Sequence, residues 1–185
     1  MCGVPPPGPD AADEVTTRQA ETGDEAALAL VGRATFLETY ATIVDGRDIV
    51  AHCEAQHAPA VYQAWLRDPR ARVWLAETRA LAAPVGYAVL DRAELPLADL
   101  TPEDLELKRI YVLGRFQGSG VGRALLGAAL DEARARGAAR LLLGVYSRNA
   151  RALAFYARAG FQQVGERRFQ VGSRRYEDLV LGRHP

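Results

Sequence analysis

At 185 residues, with 49% hydrophobic and 25% charged side chains, the chain has the size and balance of one compact soluble domain with a substantial core. Its 23 basic and 23 acidic residues cancel, which argues against a broad basic surface for nucleic acid while leaving local basic pockets open. No apolar run approaches the length of a membrane span, and the two cysteines, Cys2 and Cys53, form neither a disulfide framework nor a zinc pattern.

The opening stretch, residues 1–13, is Pro-rich and lacks the basic end and apolar run of a signal peptide. It reads as a loose amino-terminal tail, followed by a single domain over residues 14–185 in a reducing, cytoplasmic setting. Lys108 is the sole lysine, and so uniform an arginine bias carries little functional weight.

Glu14–Ala20 alternates weakly, as a first strand would, and Thr22 or Asp24 can cap a helix after it. From Asp24 to about Thr42, Ala27, Leu28, Val31, Ala34 and Leu37 recur with helical period until Gly46 breaks the pattern. Two further helices are expected over Ile49–Gln56 and Pro59–Leu66, the second with proline in its first turn. Ala71–Thr78 and Val85–Asp91 read as a strand and its return. Leu105–Leu113 is a third strand whose alternation slips between Leu107 and Ile110, as at a bulge.

A helix over Gly120–Arg136 ends at Gly137, a residue suited to a carboxyl-terminal cap. Arg140–Tyr146 is a nearly continuous apolar run, the mark of a strand buried on both faces. Asn149 caps a helix that stops at Gly160, and a closing hairpin turns at Gly172–Ser173. There is no internal repeat and no sign of a second domain. The order of elements describes an α/β chain with a mixed sheet flanked by helices.

The stretch RIYVLGRFQGSGVGRALL places Gly118, Gly120 and Gly122 between a strand and a helix. Glycine lets a backbone amide approach a ligand closely, and the first amides of a helix lack internal partners. Together with the helix dipole they form an anion site, which suggests a phosphate cradle. A Walker loop needs lysine and Ser/Thr after its last glycine, and here Arg123 follows Gly122. A dinucleotide fingerprint needs a later third glycine and an acidic residue about twenty positions on. Arg123 takes the glycine's place, and the acidic residue is missing. The bland alternative is a Gly-rich connection that binds nothing.

The pattern Q-x-x-G-x-G at Gln117, Gly120 and Gly122, after IYV and before RALL, resembles the acetyl-CoA pyrophosphate motif of GNAT N-acetyltransferases. NARALAFYARAGF, Asn149–Phe161, resembles that family's later motif, and the two stand in the expected order. The resemblance implies a GNAT fold: a mixed, mostly antiparallel sheet of about seven strands with a splayed, bulged central strand. TFLETY at Thr35–Tyr40, ELKRIYVL, LGVYSRNARALAFY and FQVGSRRYEDLVL are similar to the PaiA-like branch, associated with polyamine acetylation. Tyr146 stands where that branch often has tryptophan, and Glu177–Asp178 where it commonly has an acidic pair.

Several roles follow from the resemblance. Backbone groups of Ile110, Tyr111 and Val112 would hold the arm of acetyl-CoA as though it were an added strand. An amide there would also meet a developing oxyanion. Amides from Gln117 through Gly118, Ser119, Gly120, Val121, Gly122 and Arg123 would hold the pyrophosphate. Arg115 and Arg123 could add charge; the alternative for either is a solvated surface arginine.

Asn149 and Tyr156, seven apart, share a helix face with Ala152 between them and would touch the arm and the sulfur. Tyr156 is the candidate general acid, and Glu106 the candidate base for the acceptor amine, with Asp104 as its rival. Thr35, Glu38, Thr39 and Tyr40 would line the acceptor site, since the first helices cover it in the family. His52, His57 and His184 form no ligand set, so no metal is expected. Cys53 lacks the partners of an acyl-enzyme nucleophile, which leaves direct transfer from acetyl-CoA to a primary amine in a ternary complex. The enzyme alternatives are a protein amino terminus, an amino acid or an antibiotic amine as acceptor; the non-enzyme alternative is an acyl-CoA-binding regulatory module. The expected partners are a small-molecule amine and, through the closing hairpin's edge, a second copy of the chain; neither nucleic acid nor membrane is expected.

Overall fold

The computed structural model describes residues 14–172 and 174–185. The proposed tail, residues 1–13, lies outside them, as does Ser173 of the expected hairpin turn.

Strand β1 (Val15–Gln19) leads into helices α1 (Glu25–Tyr40), α2 (Gly46–Gln56) and α3 (Pro59–Arg67). Strands β2 (Arg72–Thr78), β3 (Pro84–Arg92) and β4 (Leu105–Val112) follow, and then a short 3-10 turn at Gly114–Phe116. Helix α4 (Val121–Ala135), strand β5 (Leu141–Tyr146), helix α5 (Ala150–Arg158) and the hairpin β6 (Gln162–Val171) and β7 (Arg174–Arg183) complete the chain. The strands lie in the order β1-β2-β3-β4-β5-β7-β6, and only β4 and β5 run parallel.

Alternation along β2 and β3 divides the core between the two sheet faces. Val73, Leu75, Tyr87 and Val89 pack against Leu28 and Val31 of α1 and Tyr62 of α3. Trp74, Ala76, Ala88 and Leu90 turn the other way, against Leu125, Leu126, Ala129 and Ala133 of α4. Leu125 and Leu141 are fully buried, each contributing about 1.5–3 kcal/mol. A third cluster joins Phe36, Val44, Ile49 and Cys53 to Val171 and so docks the β6–β7 hairpin over α2.

Some boundaries differ from the expected ones, for local reasons. Gly46 opens α2 instead of only closing α1, because the Asp45 side chain accepts from the Arg47 N–H and caps the helix three residues before Ile49. Leu37 is exposed, whereas Thr35 and Phe36 are buried. Asp24 stands at the start of α1 without capping it through its side chain, since that carboxylate takes Arg18 and the Glu21 N–H. The expected stop at Gly137 is present, with φ +66°, which suits glycine.

Candidate active site

Strands β4 and β5 pair only at Leu105–Leu141 and Glu106–Leu142. Beyond Glu106 no further β4–β5 pair occurs among the described residues, so the sheet opens at its centre. The β3–β4 register shifts between Val89 and Leu90, which leaves Lys108 as the extra residue of a bulge. Past it, Tyr111 packs with the α1 face, whereas Ile110 and Val112 pack toward α4. The gap forms a cleft of about 1030 Å³ running from α4 and α5 through the sheet to α1 and α2. The edge of β4 facing the gap has lost its partner strand and can pair with an extended, amide-bearing ligand.

The glycine stretch borders this edge. Gly118 and Gly120 have φ of +92° and +101°, which bend the chain into α4 without side-chain strain. Gly120 stands at the helix cap position with no side-chain cap, and the first bond back into the helix runs from Ala124 N–H to the Gly120 carbonyl. The amides of Val121, Gly122 and Arg123 are thus left over at a positive helix end. A Cβ at Gly122 would meet only the Phe155 ring, at 3.8 Å, so what its absence keeps open is the cleft. Gln117 directs its side-chain amide to the Val112 carbonyl at 2.8 Å and so ties the loop to the open strand.

Gly118, Gly120, Gly122 and Arg123 line the cleft, as do Ile110, Tyr111, Val112 and Gln117. The side chains of Ser119 and Val121 do not. Ser119 donates to the Phe116 carbonyl at 2.6 Å, and Val121 is buried in the core. Arg115 also lies off the cleft, with its guanidinium 5.8 Å from the Phe116 ring. Two arginines that sequence reasoning missed, Arg151 and Arg158 of α5, line the cleft beside Arg123. None of the three is paired with a carboxylate among the described residues, which leaves them available to phosphate.

Asn149 caps α5 by accepting from the Ala152 N–H at 3.1 Å, and both residues border the cleft. Two turns on, Tyr156 lies 8% exposed with its ring against Phe155 and Phe161. Its hydroxyl makes no hydrogen bond among the described residues. Burial, with the Tyr111 phenol adding to it, raises its pKa, so Tyr156 carries its proton at neutral pH.

On the α1 side, Thr39 and Tyr40 line the cleft, but Thr35 and Glu38 do not. Thr35 is buried and donates to the Val31 carbonyl at 2.7 Å, a bond within its own helix. Glu38 accepts from the Gly114 N–H at 2.8 Å and anchors the 3-10 turn. The pKa of Tyr40 is raised, chiefly by the Tyr111 phenol and then by burial.

Glu106 stands at the last β4–β5 pair, buried, with Lys108 Nζ at 2.8 Å and the Glu94 N–H at 3.1 Å on Oε2 and Arg167 at 3.7 Å from Oε1. Asp104 lies off the cleft, and the guanidinium of Arg140 holds its carboxyl below the usual range, so it is no rival base. Asp178 of β7 is the acid that the sequence reading placed in a motif but not in the site. It is buried against the cleft, with Oδ2 3.1 Å from Arg167 Nε, and burial raises its pKa despite that cation. Gly144 makes room for this arrangement, since a Cβ there would collide with the Arg167 guanidinium.

His52 and His57, set aside as metal ligands, come together in the cleft with ring centroids 5.7 Å apart. Burial, then Arg109, lowers their pKa values to about 4 and about 3, so both rings are neutral at pH 7. His57 Nδ1 lies 2.8 Å from the Tyr62 hydroxyl and 3.3 Å from Arg109 Nη1, which can only donate, so Nδ1 is the unprotonated nitrogen. No group of three or more His, Cys, Asp or Glu among the described residues could hold a metal ion.

Comparison with known proteins places this geometry. Residues 35–161 match the model of the acetyltransferase (GNAT) family. An uncharacterized N-acetyltransferase of Mycobacterium tuberculosis (strain ATCC 25618 / H37Rv) is 34% identical over 156 residues, 84% of this chain and 94% of that protein. The PaiA N-acetyltransferase of Thermoplasma acidophilum, solved with coenzyme A, superposes with a TM-score of 0.73 at 16% identity, over 93% of this chain and 99% of that one. The protein yncA of Salmonella typhimurium, solved with its cofactor acetyl-CoA, gives 0.64 at 24% identity over 92% and 94%. The mixed sheet, open between β4 and β5, is thus that of an acetyltransferase. More particularly, the chain belongs to the GNAT family and is an N-acetyltransferase.

Proposed function

We propose that the protein transfers an acetyl group from acetyl-CoA to a primary amine while both are bound in the cleft. One observation carries this reading: the parting of β4 from β5 joins a phosphate-suited helix start on one side to a polar, aromatic chamber on the other. Acetyl-CoA supplies an acyl group on a thioester. The amides of Val121–Arg123, with Arg123, Arg151 and Arg158 around them, suit its phosphates. The open edge of Ile110–Val112 suits its amide-bearing arm, and an N–H there suits the carbonyl oxygen as charge develops on it.

The new bond joins the amine nitrogen to the acyl carbon, and the carbon–sulfur bond breaks. Tyr156 then gives its proton to the departing sulfur. The amine's proton needs a base, for which Glu106 and Asp178 are the two carboxylates in place. Asp178 is the stronger reading: burial makes it more basic, whereas Lys108 and the Glu94 N–H already occupy Glu106 Oε2. Glu106 then acts as a positioning residue for Lys108 and Arg167.

A polyamine acceptor, which the PaiA-like resemblance implies, would need free carboxylates. In this chamber Glu94, Glu106 and Asp178 each already have a cationic partner. A cytoplasmic setting belongs to the same reading, supported by the free thiol of Cys53. The test is calorimetric titration with acetyl-CoA, followed by thiol release against a panel of primary amines. Micromolar binding with release on at least one amine is expected. Tight binding with no release on any amine would move the chain to the acyl-CoA-binding modules.

A further inference from the structure

The side of the cleft nearest α1 and α2 contains a cation with no carboxylate partner among the described residues. Arg109 of β4 is half-buried, two residues before Tyr111 and on the same strand face, so about 7 Å from it along the chain. Its Nη1 donates to the Gln56 carbonyl at 2.8 Å and to the Tyr62 hydroxyl at 3.2 Å, and lies 3.3 Å from His57 Nδ1. The guanidinium is stacked on Trp65, 4.8 Å from that ring centroid. These contacts fix its plane but bring no negative charge. Among the described residues Arg109 has no carboxylate partner, and its Nε and Nη2 make no hydrogen bond. That Nε–Nη2 edge is the fork that pairs with a carboxylate through two parallel bonds.

The neighbouring groups point the same way. The three carboxylates are matched by three other cations: Glu94 by Arg92 and Lys108, Glu106 by Lys108, and Asp178 by Arg167. His52 and His57 stay neutral beside Arg109, so they add no repulsion to it and no attraction for a cation. The walls around it carry the rings of Phe36, Trp65 and Phe169, together with the uncharged Thr39, Tyr40 and Gln56. A purely cationic acceptor would face a bare guanidinium here.

We infer that the acceptor is an amino-acid-like molecule, its carboxylate held by Arg109, its apolar or aromatic body against these rings, and its amine directed to the gap beside Tyr111. This rests on the acetyl-transfer reading and narrows it. Recognition of such a carboxylate makes Arg109 a specificity-determining residue.

The test uses L-phenylalanine and phenethylamine, which share ring and amine and differ by the carboxylate, with spermidine as the polyamine. Binding to the coenzyme-A-loaded protein is measured by calorimetry, and thiol release from acetyl-CoA separately. L-Phenylalanine is expected to bind at least about tenfold more tightly than phenethylamine. Arg109→Gln should erase that ratio and Arg109→Lys restore part of it, both with unchanged coenzyme A affinity as the check on folding. The inference is overturned if phenethylamine or spermidine binds the wild-type protein as well as L-phenylalanine, if none of the three binds, or if a folded Arg109→Gln keeps the ratio. A carboxylate-dependent binding ratio without thiol release on any amine would instead overturn acetyl transfer and leave the anion site standing.

Discussion

Gly32, in the middle of α1, lies so close to Tyr62 that a Cβ on it would overlap the tyrosine hydroxyl, and the same Cβ would press on His57 Nδ1. The helix is therefore pinned against the His57–Tyr62–Arg109 group by the lack of one methyl group. Two members of that group, His57 and Arg109, line the cleft.

Gly32→Ala should destabilise the protein even though alanine is the better helix former. The gain in propensity is about 1 kcal/mol. Overpacking costs about 1–3 kcal/mol, and the hydrogen bonds among His57, Tyr62 and Arg109 stop the rings from swinging away. Gly127→Ala, in α4 with no atom within 4 Å of its Cβ, is the control and should be neutral or stabilising. Urea midpoints at constant slope would check the pair, and a stabilised Gly32→Ala would contradict the packing argument.

Gly122→Ala separates folding from ligand binding. The added methyl meets Phe155 at an ordinary 3.8 Å, so the thermal midpoint should hold or rise. The same methyl enters the cleft at the uncapped amides of α4, so coenzyme A affinity should fall by about tenfold or more, or roughly 1.4 kcal/mol. Calorimetry with coenzyme A reads the loss. Unchanged affinity would remove the helix start from the binding site.

Tyr156→Phe removes a hydroxyl that bonds to nothing else among the described residues, so stability should stay within about 0.5 kcal/mol. Coenzyme A affinity should also hold. Turnover should fall about ten- to a hundredfold, less than the upper range for a general acid, because a thiolate leaves moderately well unaided. Steady-state rates across pH would show whether the alkaline limb shifts in the variant. Equal turnover would eliminate the proton-donor role.

The buried histidines make stability pH-dependent with a defined sign. In the folded protein His52 and His57 titrate at about 4 and about 3, below the ordinary value of 6.5. Between those values and 6.5 the unfolded chain binds more protons, so stability rises with pH across that window and is lost as pH falls through it. Each ring contributes up to about 1.4 kcal/mol per pH unit. Asp178, raised by burial, acts in the opposite direction, so the useful comparison is wild type against His57→Gln. The variant should flatten the slope of urea midpoints between pH 6.5 and 4.5, and an unchanged slope would contradict the burial of a neutral ring.

The sequence by itself determined the order of elements, the bulge between Leu107 and Ile110, the glycine-bounded start of α4 and the Asn149 cap. These are local: backbone preference, side-chain period and capping act within a few residues, and each leaves a mark on its own stretch. Only the tertiary structure decided which side chains face the cleft. Thr35 and Glu38 looked no different from Thr39 and Tyr40 along α1, but a helix carries all its faces in one pattern, and packing against Tyr62 and Gly114 chose among them. Asp178, Arg109 and His57 come from three distant segments and line one cleft only because β4 parts from β5 and the β6–β7 hairpin folds over α2. A charge there carries meaning only with the partners that the fold brings to it. The unmatched cation at Arg109 therefore could not be read from a chain whose formal charge is zero.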